Sequence, residues 1–277
     1  MSYKNICVHV SPRPHCAASV KIAFDLAEHF DAHLTGVFVD PVLMSPELLA
    51  VSTTPTLFAS MQTEVKQRAS EAKLIFDEAV ASSAVRTQWK QPPGPMYSAL
   101  NSFARYSDLL IVNQQADADR ALILEGFADS AVIETGRPVL VVPAVGCDVP
   151  LHGKVLVAWN GSREAARAVN DAMPLLKFAK EVRVLCIDPP VNEHAEASSP
   201  GADLCFHLST HGVKANVEEL SGAGAHSGDL LLAHAAQYGA NLIVAGAYGH
   251  SRMRELVLGG VTLKLLRHMK VPVLMSH

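Results

Sequence analysis

The 277-residue chain has no apolar run near the roughly 18 residues that cross a bilayer. Its opening stretch, interrupted by His9 and Pro12, is too short for the hydrophobic region of a signal peptide. Cysteine is sparse. Cys7, Cys16, Cys147, Cys186 and Cys205 form an odd, scattered set with no C-x-x-C pair, which excludes a disulfide framework and fits a reducing compartment. Charge is also modest: charged residues make up 18%, with 23 Lys and Arg against 27 Asp and Glu. A net charge of −4 excludes a generally basic nucleic-acid footprint, so neither nucleic acid nor a membrane is expected as a partner. The phosphate-binding G-x-x-x-x-G-K-[ST] is missing, as are a G-x-G-x-x-G after either opening strand and the G-x-S-x-G of a hydrolase nucleophile. What the chain does have is apolar substance, 49% of its residues, ample for a packed core and too much for intrinsic disorder. A soluble, globular, cytoplasmic protein is the expectation.

The chain reads as two copies of one plan. Ile6-Cys7-Val8-His9-Val10 opens the first copy and Val155-Leu156-Val157-Ala158-Trp159 the second, each a short run suited to a fully buried strand. An amphipathic helix is expected after each, over 17–30 and 163–178. A second strand then ends in the same dipeptide, Asp40-Pro41 in one copy and Asp188-Pro189 in the other. Asp108-Leu109-Leu110-Ile111-Val112 answers Asn241-Leu242-Ile243-Val244-Ala245, and Val139-Leu140-Val141-Val142 answers Val271-Pro272-Val273-Leu274-Met275. Asp40 and Asp188 are 148 apart, whereas Asp108 and Asn241 are 133 apart, so the first copy carries 15 more residues after its second strand. They fall between Met44 and Thr56, a Pro/Thr/Ser-rich loop ahead of a helix expected over 63–81. The segment 146–150, Gly-Cys-Asp-Val-Pro, has the composition of a linker.

Apolar strands alternating with helices indicate a parallel sheet covered on both faces. In such sheets the ligand crevice lies beyond the carboxyl ends of the strands, where the winding reverses. There the second copy places Gly246-Ala247-Tyr248-Gly249-His250-Ser251-Arg252, with Gly259-Gly260-Val261-Thr262 after a further six residues. The pattern is G-x2-G-x9-G-G-x-T. Glycine permits close approach and positive φ, so successive N–H groups can point at phosphate oxygens. A helix expected over 261–268 would add its free N-terminal amides, and Thr262 a hydroxyl. His250, Ser251 and Arg252 lie in the intervening loop.

The tandem repeat and the G-x2-G-x9-G that follows the fourth strand of the second half together resemble the universal stress protein family. The likeness extends to Val157-Ala158-Trp159-Asn160-Gly161-Ser162, similar to the family's first strand and its D-G-S turn. It implies an α/β fold of two tandem Rossmann-like domains of the adenine nucleotide alpha hydrolase-like type, each with a five-stranded parallel sheet and helices on both faces. The domains would span 1–145 and 152–277. The resemblance further implies that the second domain binds the phosphates and ribose of ATP through Gly246, Gly249, Gly259 and Gly260, with His250, Arg252, Val261 and Thr262 beside them. Asn160 would take the place of the aspartate that contacts the nucleoside, and Cys186 would touch the adenine. ADP, AMP and a Mg²⁺ ion remain open as ligands. The family commonly pairs through its last strand, which implies an internal pseudo-dimer here, with a homodimer left open.

Two positions depart from the family pattern: Asn160 carries no charge where Asp is usual, and Gly260 stands where Ser or Thr usually follows the third glycine. The first half departs further. After Val112 it reads Asn113-Gln114-Gln115-Ala116-Asp117-Ala118-Asp119-Arg120, with acidic residues where the other copy offers glycines and arginines. Its first strand ends in Ser11-Pro12-Arg13-Pro14, so this domain is expected to have a degenerate nucleotide site. Blander readings compete at each position: glycines for a tight turn, Asn160 as an ordinary turn residue, Arg252 as solvated surface. Cys205, His207 and His211 have a metal-like spacing with no fourth ligand in sight, so no metal site is assigned. No motif places a carboxylate to activate water, and no catalytic residue is named. The expected function is a nucleotide-binding, stress-response regulatory module acting through a protein partner. A slow ATP hydrolase or phosphotransferase using His250, and a nucleotide-free scaffold, are the alternatives.

Overall fold

The computed structural model describes residues 2–13, 15–39, 55–81, 84–93, 96–115, 127–145, 150–189, 199–221, 226–249 and 260–277. The chain divides into two compact units, Ser2–Gly146 and Cys147–His277.

The first unit runs β1 (Asn5–His9), α1 (Cys16–Phe30), β2 (His33–Val37), α2 (Pro55–Val80), β3 (Thr87–Lys90), α3 (Met96–Ala104), β4 (Leu109–Asn113), α4 (Phe127–Glu134) and β5 (Val139–Val142). Its strands lie in the order β3-β2-β1-β4-β5, all parallel. Ile6, Cys7, Val8, Leu109, Leu110, Ile111 and Val112 are buried almost completely, the continuous apolar pattern of strands covered on both faces. Helix α1 ends at Asp31, whose left-handed backbone (φ 47°) lets its N–H reach the carbonyls of Ala27 and Glu28. Helix α2 starts at Pro55, eight residues before the expected Thr63. Its exposed face is knitted by i,i+4 pairs such as Arg68–Glu64 at 3.0 Å. The rest of the insertion between Met44 and Thr56 lies outside the described residues, as do Asp117 and Asp119.

The second unit repeats the plan: β6 (Lys154–Ala158), α5 (Arg163–Phe178), β7 (Glu181–Ile187), α6 (Pro200–Thr210), β8 (Ala215–Leu220), α7 (Ser227–Tyr238), β9 (Leu242–Gly246), α8 (Val261–His268) and β10 (Val273–Ser276). The strand order is β10-β9-β6-β7-β8, again parallel throughout. The expected helices over 163–178 and 261–268 form with those bounds. Strands β3 and β8, which the apolar pattern did not reveal, are edge strands whose polar sequences, TQWK and ANVEEL, leave most side chains at least partly exposed. In both units the winding reverses between the first and fourth strands. In the second unit this puts residues 158–160 beside residues 245–247 at the carboxyl edge of the sheet.

Candidate functional site

A cavity of about 250 Å³ opens at that edge of the second unit. Ala158, Trp159 and Asn160 after β6, Leu185 and Ile187 of β7, and Ala245 and Gly246 of β9 form one side of it. The starts of three helices close the rest: Ser162, Glu164 and Ala165 at α5, Ser227 and Leu231 at α7, and Val261 and Thr262 at α8.

The turn from β6 into α5 is built locally. Asn160 Oδ1 accepts the Ser162 N–H at 3.1 Å, and Gly161 takes a left-handed φ of 72°. Ser162 then caps α5, its Oγ accepting the Ala165 N–H at 3.1 Å. Asn160 is therefore both a turn former and a cavity residue. Helix α8 begins differently. Its N-cap, Gly260, supplies no side-chain cap, so the amides of its first turn have no side-chain acceptor there. The α8 start is held against α7 by the Lys264–Asp229 ion pair at 2.8 Å. Thr262, 2% exposed, accepts the Tyr248 N–H on its hydroxyl oxygen at 3.3 Å. That bond steadies a bulky residue in the left-handed region (φ 58°), where the ring stands edge-on to His277.

Two glycines of the motif sit against the start of α5, Gly246 against its backbone and Gly249 against a side chain. A Cβ on Gly246 would collide with the Ala165 nitrogen and lie 2.6 Å from the Glu164 carbonyl carbon. A Cβ on Gly249 would lie 2.8 Å from Glu164 Oε2. The loop therefore runs directly over the start of α5. Glu164 itself is a carboxylate that the sequence pattern did not single out: it is 3% exposed and lines the cavity. Arg163 Nε donates to Glu164 Oε1. Burial pushes the Glu164 carboxyl up, but the Arg163 guanidinium, a backbone N–H and His277 outweigh it and hold it below the ordinary range.

Of the sequence-expected site residues, Asn160, Gly246, Gly249, Val261 and Thr262 line this cavity, with Gly260 at the adjoining helix cap. Cys186 does not line it. Side chains alternate across a strand, and Leu185 and Ile187 face the cavity while Cys186 faces the other way, where its Sγ would be 2.9 Å from a Cβ on Gly201 of α6. Burial there raises the Cys186 thiol to about 11, so it is a packed apolar group, and the neighbours Leu185 and Ile187 line the cavity instead. His250, Arg252 and Gly259 lie outside the described residues. His207 and His211 bring their rings within 4.7 Å, but no group of three His, Cys, Asp or Glu side chains among the described residues is placed to hold a metal ion. No helix among the described residues is long and apolar enough to cross a membrane.

At the same corner of the first unit, larger side chains stand at the matching places among the described residues. Asn113, which stands where β9 has Gly246, accepts from Ser19 Oγ at 2.7 Å and donates to the His15 carbonyl at 3.1 Å. Phe127, the first residue of α4 as Val261 is of α8, packs its ring 4.8 Å from His9 and 5.9 Å from Tyr97.

The model of the universal stress protein family matches residues 152–277. Universal stress protein Slr1230 of Synechocystis sp. (strain ATCC 27184 / PCC 6803 / Kazusa) is 37% identical over 128 residues, which is 44% of this chain. The match spans 41% of the length of that curated relative. A universal stress protein from Archaeoglobus fulgidus DSM 4304 superposes with a TM-score of 0.73 at 16% identity, over 98% of this chain and 96% of its own. A protein of unknown function from Pseudomonas aeruginosa PAO1 superposes with a TM-score of 0.60, also at 16% identity, over 99% of this chain and 92% of its own. At such identities the likeness is one of fold, and it extends over both units: two Rossmann-like α/β domains in tandem. Residues 152–277 thus match the universal stress protein family, and the chain as a whole shares its fold with a solved member.

Proposed function

We propose that the second domain binds an adenine nucleotide, ATP first among them, and that binding is its function: occupancy of the site is passed on to a protein partner in a stress response. The observation that carries this reading is the cavity at the β6–β9 edge. It combines Gly246, whose place backbone denies to any side chain, with Gly249 beside the Glu164 carboxylate, a helix start left without a side-chain cap, and an apolar slot lined by Leu185, Ile187 and Leu231. The apolar slot suits a purine, and the uncapped amides with the Thr262 hydroxyl suit phosphate oxygens. His250 and Arg252 belong to the same proposed site on the strength of the motif. The first domain is read as a partner without a nucleotide site. Asn113, Phe127 and His9 supply side chains where a ligand would enter, and this supports that assignment.

The test is the nucleotide content of full-length protein purified without added ligand, followed by thermal melting with millimolar Mg-ATP. Bound adenine nucleotide, or a rise in melting temperature, is the expected result. Gly249→Val should abolish either signal, because its side chain would meet the Glu164 carboxylate where a phosphate must approach. An empty extract together with an unmoved melting curve would leave the chain a scaffold. Recovery of ADP after incubation with ATP would turn the reading toward the slow hydrolase.

A further inference from the structure

The cavity that this reading assigns to a polyanion is lined by a buried carboxylate. Among the described residues that line it, Glu164 is the one acidic side chain, and none carries a positive charge. Among the described residues, Arg163 pairs with it through Glu164 Oε1 while its side chain stands 88% exposed. Glu164 Oε2 lies under Gly249, 2.8 Å from where a Cβ would be, on the path that the glycine spacing opens for phosphate. With its side chain 4% exposed, the carboxylate has little water to screen it, so each further negative charge brought into the cavity is repelled more strongly than it would be at a surface.

We propose that Glu164 is the specificity-determining residue of this cavity: its carboxylate limits the negative charge a bound nucleotide can bring. The site then takes adenine nucleotides whose phosphates are few or are neutralised by a divalent cation, and turns away metal-free ATP. The inference rests on the adenine-nucleotide reading and sharpens it, since a site of glycines and helix amides alone would favour the most highly charged ligand.

Isothermal titration of the full chain with adenosine, AMP, Mg-ATP and ATP in EDTA tests it. The wild type should bind Mg-ATP about ten-fold or more tighter than ATP in EDTA. Glu164→Gln should tighten metal-free ATP by about ten-fold, shift Mg-ATP and AMP less, and leave adenosine within about two-fold. Glu164→Asp, which keeps the charge, should retain the wild-type ratio. Glu164→Ala, which removes the charge without adding an amide, should repeat the Gln result and stands in for it if that variant does not fold. An equal change for all four ligands, or none, would overturn the proposal and make Glu164 structural while adenine binding stood. If the wild type bound neither adenosine nor any nucleotide, the underlying reading would fall, and this inference with it.

Discussion

Gly246 shows how a single missing side chain shapes the site. It ends β9 where α5 begins, and the Ala165 nitrogen occupies the space of its absent Cβ. Backbone fills that space, so no rotamer change can make room. Gly246→Ala must push β9 and α5 apart, which by the usual cost of overpacking destabilises the second unit by about 1–3 kcal/mol. Urea unfolding of the full chain should show a lower midpoint for the variant, and nucleotide binding should weaken with it; an unchanged midpoint would mean the approach is looser than drawn. At this scale the sequence was partly readable. Glycine spacing identified Gly246, Gly249 and the start of α8 because glycine has few other reasons to recur so. Cys186 was expected at the crevice that Leu185 and Ile187 line, because the end of β7, Val184-Leu185-Cys186-Ile187, is continuously apolar and does not say which side chains face it. Glu164 escaped notice because an acid one residue into a capped helix reads as solvated dipole compensation, and burial by the Gly249 loop is a tertiary fact.

Elements explain why the two copies, alike in order and register, differ in what they hold. In the first unit the end of β1 packs against α3 and α4 through His9, Tyr97 and Phe127. Burial, together with the Arg13 charge, lowers the His9 imidazole to about 4, against a partial opposing effect of a hydrogen bond at Val39. The folded unit therefore keeps His9 neutral while the unfolded chain protonates it near its ordinary value. Stability is unaffected above about pH 6.5 and falls as pH drops from there toward 4, by about 3 kcal/mol in all if no neighbour relaxes. With 13 histidines in the chain, the comparison must be with a variant. His9→Gln, which cannot titrate, should lose less of its urea midpoint between pH 7 and pH 5 than the wild type does; matching losses would mean that His9 is protonated in place. Helices α1, α2, α5 and α8 and the inner strands of both units were legible from the sequence, whereas α3, α4 and α7 were not read from it. The edge strands β3 and β8 were not, because half-exposed polar residues carry no such signal and pairing with β2 and β7 decides their conformation.

On the scale of the whole molecule, a repeated fold carries two unlike corners. Both units follow one strand order, so topology offers a crevice twice. Side chains make the difference among the described residues: Gly246 and Val261 line the cavity of the second unit, and Asn113 and Phe127 stand at the matching places in the first. A ligand that binds the folded second unit stabilises it by RT ln(1 + [L]/Kd), about 2.7 kcal/mol at a hundred-fold excess over Kd, and gives the first unit nothing directly. Hydrogen exchange of the full chain with and without saturating Mg-ATP reads this division residue by residue. Added protection should concentrate in 158–165, 242–249 and 260–265, the segments that wall the cavity. Segments 5–16 and 109–113 of the first unit should exchange at unchanged rates, since Asn113 already ties β4 to the backbone ahead of α1 with or without ligand. Equal protection in both units would mean either that the first crevice opens to accept nucleotide or that the units respond together, and Phe127→Trp separates these. A bulkier ring beside His9 would abolish the first unit's protection if ligand enters there, and would leave it intact if the signal arrives from the second unit.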